Sequence, residues 1–496
     1  MLAGVWLGPW AIPLVLGCML ILQLVREKLG YLALSTAIIA VVIGALRGDS
    51  ATRNDAPVDI HLSNGATGEV ITMPKSSPGG VRVELHVSTL SYEHGSSVPV
   101  SFDALVRLPR RADVASGDRV TVRWSVEPLD RLPPGFARYV ASRGATASAS
   151  AWDLTVEDRG PAVLRFLTEI QERLTEGLKT VIPGNAGSLA AGIVTGNDAA
   201  LSETARDAFL RTGTTHITAV SGSNIAMVLA LWHMIVHSTR TKRVLIVQVA
   251  IVITIWLYAV IAGLEPSAVR AAIVASLGVF SGRFGRRADP LTILMLTTGG
   301  MALWNPNYTQ MIGFWLSVVA SFAIVSRIPA SGRVTVRSAI LGIAQGVLLA
   351  QAATLPLVML TFGTWSLSSI LANLVIHPVM TLAFPITFFL AVIVLAVPVL
   401  APVIAWIPAI PLEFVLAFVS WLSPLASPIQ IEPEGATALI GIGVPCGLMV
   451  IVASRDTERW ARMLGKRWVM LTQAVTLLVL VPAIGAALGP LSPMPA

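Results

Sequence analysis

Apolar and polar positions divide the chain into three textures. Two apolar runs open it, at residues 5–25 and 29–46, separated by Arg26, Glu27 and Lys28. Each run is close to the roughly 20 residues a helix needs to cross a bilayer core. They predict a transmembrane hairpin over 1–47, with its turn in the cytoplasm. Over 48–160 the pattern switches to period-two alternation. Val81-Arg82-Val83-Glu84-Leu85-His86-Val87 and Val120-Thr121-Val122-Arg123-Trp124-Ser125-Val126 alternate cleanly, and 147–156 does so more weakly. Alternation bounded by Gly, Pro and Ser predicts half-buried strands, hence one small β domain, read as a five-stranded barrel.

Residues 161–182 return to a helical period. Val163, Phe166, Leu167, Ile170, Leu174, Leu178 and Val181 form one apolar stripe, with the Glu169–Arg173 pair on the opposite face. Pro161 and Pro183 bracket the helix. This predicts an amphipathic interfacial helix over 161–185, on the outer membrane surface or against the β domain. From 186 to 490 the chain reads as a multi-span bundle, followed by a short tail at 491–496. Candidate spans are 214–237, 244–264, 266–280, 291–304, 309–325, 338–361, 370–397, 401–422, 436–453 and 469–488. The stretch 366–385 carries Asn373, His377, Pro378 and Pro385. It reads as a broken or re-entrant feature, which membranes tolerate where protein or a cavity receives the freed backbone groups.

Composition agrees with the pattern. The chain has 496 residues, 54% of them hydrophobic and 13% charged, and its mean hydropathy is +0.73. Soluble domains carry about 25% charged residues. The fold class is therefore a polytopic α-helical membrane bundle with an inserted β domain. Basic residues cluster at 240–243, 283–287, 327–337 and 455–467. The positive-inside rule puts these loops in the cytoplasm and the β domain outside. The same rule explains the pI of 9.8 without a nucleic-acid partner. Cys18 and Cys446 lie in apolar runs and read as free thiols. The N-terminus lacks a basic leader and a small-residue cleavage site, so no signal peptide is expected.

Chemistry concentrates where polar residues interrupt apolar spans. The stretch TTHITAVSGSNIAMV, residues 214–228, carries His216, Ser221, Gly222, Ser223 and Asn224. Polar side chains at membrane depth face a bundle interior or a wet cavity. On an ideal helix Ser221 and Asn224 share a face, with His216 at the mouth. Arg270 lies within the short span 266–280, where an isolated arginine is costly unless paired or hydrated. Its guanidinium suits a phosphate; the structural alternative is a pair with Glu265, Asp289 or backbone carbonyls. Gln351 and Asn373 are further polar positions. These two read equally as path lining or as part of a helix kink satisfied internally, and for His216, Ser221 and Asn224 the alternative is hydrogen bonding between helices. In the β domain, Arg107, Arg110, Arg111 and Arg123 belong to a basic half that offers outer phosphate contacts. Phe102, Trp124, Phe136 and Tyr139 are the available stacking residues, and docking on the bundle is the competing role.

Four blocks carry a resemblance to a known family. They are TGNDAALSETARDAFLRTGTTHITAVSGSNIAMV within 192–228, GLEPSAVRAAIVASLGVFSGRFGRRADPLT with LWNP within 263–306, GFWLSVVASFAI at 313–324, and AQAATLPLVMLTFGTWSLSSILANLVIHP at 350–378. In this order they resemble the ComEC family of competence proteins. The 48–160 segment, ending in PPGFARYVASRGATASA, looks like that family's oligonucleotide-binding (OB-like) domain. Departures exist: Ser221-Gly222-Ser223-Asn224 replaces Ser-Gly-Leu-His, and Trp315 replaces a glutamine in Gly-Phe-Gln-Leu-Ser.

The resemblance implies an inner-membrane channel that takes up single-stranded DNA during natural transformation. His216, Ser221, Asn224, Arg270, Gln351 and Asn373 would line the path. Many family members continue into a metallo-β-lactamase-like nuclease domain, and the expectation is a form without it. The seven histidines include no His-x-His-x-Asp-His cluster, so no zinc nuclease is expected. No phosphate loop is present either. The expectations are therefore no enzyme activity, no cofactor and no metal. Strand degradation would fall to a separate nuclease, and pulling to a cytoplasmic motor, single-strand-binding proteins or the membrane potential. Membrane lipid is the other partner, and homo-oligomerisation is left open. The alternative is a secondary transporter or flippase built on the same bundle. That reading wants acidic coupling residues, and Glu413 is the sole carboxylate between Arg337 and Glu432.

Overall fold

The computed structural model describes residues 60–430, without 78, 93–95, 111, 198–200, 219, 238–244, 282–289, 328–335, 363 and 427. The expected hairpin, the spans at 436–453 and 469–488, most of the basic loops, the tail and Arg111 lie outside the described residues.

The β domain uses the alternation as expected and adds strands to it. Its strands are β1 (Ser63–Val70), β2 (Lys75–Ser77), β3 (Gly80–Tyr92), β4 (Ser97–Leu108), β5 (Arg119–Pro128) and β6 (Ala147–Asp158), with helix α1 (Pro134–Ser142) between β5 and β6. The strand order is β1-β5-β6-β4-β3-β2, and β1 pairs with β3 as well as with β5. β4 and β6 run parallel, and the other pairs are antiparallel. Along β5, Val120, Val122, Trp124 and Val126 are buried while Arg119, Arg123, Ser125 and Glu127 are exposed. Phe102 and Trp124 are fully buried in the same core. Neither is available for stacking, which corrects the sequence reading.

Helix α2 (Ala162–Val181) follows. Its apolar stripe divides in two. Leu174 and Leu178 enter the core of the bundle, whereas Val163 and Phe166 are exposed. α2 packs on α3 (Gly184–Thr195), a small-residue helix buried on nearly all sides. Buried Gln171 fastens this contact. Its Nε2 donates to Thr195 O (3.1 Å) and Ile261 O (2.7 Å). Those carbonyls end two helices and lack intrahelical partners.

After α4 (Glu203–Arg211) the bundle continues with α5 (Gly222–His237), α6 (Leu245–Ile261), α7 (Pro266–Ser281), α8 (Pro290–Trp304), α9 (Ile312–Arg327), α10 (Val336–Phe362), α11 (Ser368–Ala396), α12 (Ala401–Ile404) and α13 (Trp406–Leu422). Short strands β7 (Thr364–Ser366) and β8 (Pro428–Gln430) pair with each other. Four segments are long and apolar enough to cross a membrane: Thr215–Met234, Leu341–Met359, Ser368–Ala396 and Trp406–Leu425. α6 to α9 are shorter apolar helices. This is an integral membrane protein whose described residues are mostly helical, with a β-sheet domain ahead of the bundle helices.

Two expectations change. The span at 214–237 is not one helix: a single 3-10 turn at Thr215–Ile217 precedes α5, which begins at Gly222. Conversely, 366–385 is not broken. Pro378 and Pro385 sit inside the continuous 29-residue α11. Each proline removes one helical N–H, but packing against α2, α3, α5, α10 and α13 holds the helix together.

Candidate functional site

His216, Gly222 and Asn224, before and at the start of α5, touch three different parts of the bundle. This is the feature that the broken helix start creates. Had α5 begun at Thr214, these side chains would have spread around a cylinder. Instead the 3-10 turn at Thr215–Ile217 and the later start of the helix at Gly222 send them in separate directions.

Asn224 points inward and is 6% exposed. Its Nδ2 donates to Ile193 O on α3 (3.1 Å) and to the Tyr258 hydroxyl on α6 (3.2 Å), and that hydroxyl donates to the same carbonyl (3.0 Å). Its Oδ1 accepts from Ser221 Oγ (3.2 Å). Ser221 therefore does meet Asn224, but from the loop before the helix and not from a shared helical face. Ser221 and Ser223 hydroxyls are 2.5 Å apart.

Gly222 faces α7. A Cβ there would lie 3.2 Å from Arg270 Nη2, 3.2 Å from Ser267 O and 3.3 Å from Ala271 Cβ. Glycine thus lets the start of α5 approach the guanidinium. Arg270 is 7% exposed. Its Nε and Nη2 both donate to Ser317 Oγ on α9, at 3.0 and 2.6 Å. The Glu265 pairing considered from the sequence does not form, because Glu265 is engaged elsewhere. Asp289 lies outside the described residues.

His216 faces α11. Its ring lies 5.9 Å from that of His377 in a near-parallel stack, beside Asn373. Asn373 Nδ2 and Gln351 Nε2 both donate to Ser369 O, each at 2.9 Å. Gln351 Oε1 is buried without a partner among the described residues. A Cβ on Gly213, whose φ is +66°, would stand 2.9 Å from Ser369 Cβ. The chain just before the turn is therefore tight against α11. Of the six path residues expected from sequence, His216, Gln351 and Asn373 form one cluster and Ser221 and Asn224 a second. Arg270 joins them through Gly222.

The β domain presents a second site. A cleft of about 320 Å³ is lined by Arg82, Arg107, Ser125, Glu127, Ser150 and Phe136, among others. Strand register explains the grouping: Arg82 opposes Arg107, Arg107 opposes Ser150, and Ser150 opposes Ser125. Two arginines and two hydroxyls thus form a row across four strands. Phe136 and Tyr139, 39% and 37% exposed, stack at 6.2 Å on α1. Of the expected outer contacts, Arg107 lines the cleft. Arg123 is exposed on the same face of β5, two residues from Ser125. Arg110 is exposed in the turn after β4, outside the cleft lining. Arg82 was not singled out from sequence, although the alternation Val81-Arg82-Val83 already places it on an outward face.

A charged cluster joins the β domain to the bundle. Lys75 Nζ lies 2.5 Å from Glu265 Oε1, and Arg143 Nη2 lies 3.2 Å from the same oxygen. Arg143 Nε is 3.5 Å from Glu84 Oε1. Burial would raise the Glu265 carboxyl, but Lys75 and Arg143 outweigh it and hold the group at about 2. Burial raises Glu84, with Arg143 and Lys75 offsetting part of the effect. Nearby, Asn197 Nδ2 donates to Ser76 Oγ (3.0 Å), and Gly144, at φ +82°, leaves room for the Asn307 amide. Docking, the competing role considered for the domain's arginines, is thus filled by Arg143.

Residues 193–458 match the sequence model of a family described as Competence protein. ComE operon protein 3 of Bacillus subtilis (strain 168) is 22% identical over 215 residues, which is 43% of this chain. The match spans only 27% of that relative's length. No solved structure matches.

Proposed function

This chain belongs to the competence protein family, and from that membership we propose that it is an inner-membrane channel for the uptake of single-stranded DNA during transformation. The observation that carries the reading is the convergence at the start of α5. Tyr258 of α6 bonds Asn224, His377 of α11 stacks on His216 and Arg270 of α7 packs against Gly222, while Ser317 of α9 and Gln351 of α10 bond Arg270 and the Ser369 carbonyl next to them. Apolar packing has no need of such a junction.

In this reading the β domain is extracytoplasmic. The return of β1 to β3 supports a five-stranded barrel of the OB-like kind. The Arg82–Arg107 row, flanked by Phe136 and Tyr139, suits a phosphate backbone with stacked bases. The domain units proposed are the hairpin at 1–47, the β domain at 48–160, α2 with its flanks at 161–185 and the channel domain at 186–490. The chain conducts and performs no chemistry. A separate nuclease degrades the other strand, and a cytoplasmic motor or single-strand-binding proteins pull.

The test is uptake of labelled DNA in a deletion strain, complemented by wild type or by Arg270→Ala. Loss of cytoplasmic DNA with surface DNA retained, restored by wild type and not by the variant at equal membrane level, is expected. Unchanged uptake in a deleted but transformable strain would sink the reading and leave a transporter or flippase of another substrate.

A further inference from the structure

We propose that Arg270 and the first turn of α5 form a binding site for a phosphate-type oxyanion. Three observations converge. Arg270 is more than nine-tenths buried, and among the described residues its hydrogen-bond partner is the neutral Ser317 hydroxyl. No carboxylate pairs with it there, so its charge is uncompensated among the described residues. Nη1 donates to none of them. A buried, unpaired guanidinium is costly unless an anion arrives.

The second observation is where that charge sits. Gly222 opens the 16-residue helix α5, and the guanidinium packs against it at Cβ-contact distance. A helix N-terminus carries partial positive charge and N–H groups without intrahelical partners. Packing a guanidinium against that end places like against like, and an anion between them relieves both. The third observation is the donor supply. Ser317 Oγ accepts two bonds from Arg270, and its own proton has no acceptor among the described residues. Arg270 Nη1, the Ser317 hydroxyl and the Gly222 and Ser223 amides are donors, the set an oxyanion requires; the Asn224 amide is taken by the Ser221 carbonyl (3.1 Å).

A free inorganic anion and a strand phosphodiester share this chemistry. The site depends on the local geometry alone and does not rest on the channel reading.

The experiment uses the purified full chain in detergent. Sodium phosphate is titrated at constant ionic strength against chloride, and thermal unfolding is followed by tryptophan fluorescence. A saturable rise in Tm is expected for wild type and is lost in Arg270→Gln. Arg270→Lys keeps the charge but not the fork, and Ser317→Ala removes one donor. Each is expected to weaken the apparent affinity by about tenfold. These two variants decide the matter should Arg270→Gln fail to fold. A wild-type protein that shows no saturable shift overturns the proposal, and points to a carboxylate outside the described residues as the partner of Arg270. A shift of equal affinity in wild type, Arg270→Lys and Ser317→Ala overturns it as well. A short oligodeoxynucleotide is then added as competitor. Loss of the Arg270-dependent shift identifies strand phosphates as occupants, and its persistence identifies a free anion. Both outcomes support the site, and failure of uptake in cells is read separately.

Discussion

Asn224 does at residue scale what apolar packing cannot. Its amide bonds the α3 backbone and the Tyr258 hydroxyl at once, and so fixes the angle at which α5 leaves its turn. Within a bundle surrounded by lipid, such bonds are worth about 0.6–2 kcal/mol each. Asn224→Leu keeps the number and branching of side-chain heavy atoms but leaves the Tyr258 hydroxyl with one partner fewer. It is expected to destabilise by about 1–2 kcal/mol, and Tyr258→Phe by about 1 kcal/mol. The double variant is expected to cost less than the sum, since both side chains serve the same Ile193 carbonyl. Denaturant titration of the four purified proteins measures the coupling, and strict additivity would count against a shared network. The polar character of 214–224 is plain in the sequence. The partners are not, because Ile193, Tyr258 and Ser317 come from distant segments and a backbone carbonyl has no signature in the sequence.

At the scale of elements, close approach between helices decides stability. Gly177 on α2 is the sharpest case. A Cβ there would lie 2.3 Å from Val394 Cγ1 on α11, well inside contact distance. Gly177→Ala gains about 1 kcal/mol of helix propensity but loses about 1–3 kcal/mol to overpacking, for a net loss expected near 1 kcal/mol. Val394→Ala removes the obstructing methyl, so Gly177→Ala/Val394→Ala is expected to recover most of that loss relative to Val394→Ala alone. Thermal unfolding of the three variants checks it, and an equal penalty in both backgrounds would refute the contact. The helices themselves were legible: most of the described spans fall within a few residues of their apolar runs. What misled the reading were residues with two meanings. Thr, Ser and Gly at 214–221 fit a polar helix face as well as a loop. Pro378 and Pro385 fit a break as well as a supported helix interior. The small-residue α3 has no amphipathic stripe to find, because it is buried on nearly every side. In the β domain, alternation located three strands, which carry Arg82, Ser125 and Ser150. Arg107 lies on β4, which the alternation did not mark, and only the register brings the four into one row.

For the whole molecule, the contact between β domain and bundle turns on Glu265. Two left-handed residues, Gly263 (φ +83°) and Leu264 (φ +52°), end α6 and lead into Glu265, which reaches Lys75 and Arg143 on the β domain. Tyr139 links the cleft to this joint. Tyr139 accepts from Arg82 Nη1 at 2.9 Å, and Arg143 lies 5.9 Å from its ring centroid. The contacts are thus continuous from the proposed strand site to the residue that precedes α7, the helix of Arg270. Glu265→Gln leaves Lys75 and Arg143 without their anion. The expected cost is about 2–3 kcal/mol, under the ~3–5 kcal/mol of a fully buried pair, because the Glu265 side chain keeps 27% of its exposure. The pH dependence follows from the sign of its shift. A carboxyl held at about 2 in the folded protein, against an ordinary 4.5, stabilises fully above 4.5 and loses that contribution as pH falls toward 2. Glu84 runs the other way: its raised value makes the ionised form unfavourable, so protonating it adds stability as pH falls toward 4.5. Glu265 is one of the charges that raise Glu84, so the difference between wild type and Glu265→Gln reports Glu265 together with its smaller effect on Glu84. Their unfolding midpoints are expected to stand apart at neutral pH and to converge between 4.5 and 2. A gap that stays constant down to pH 2 would mean that Glu265 does not hold the two parts together through its charge.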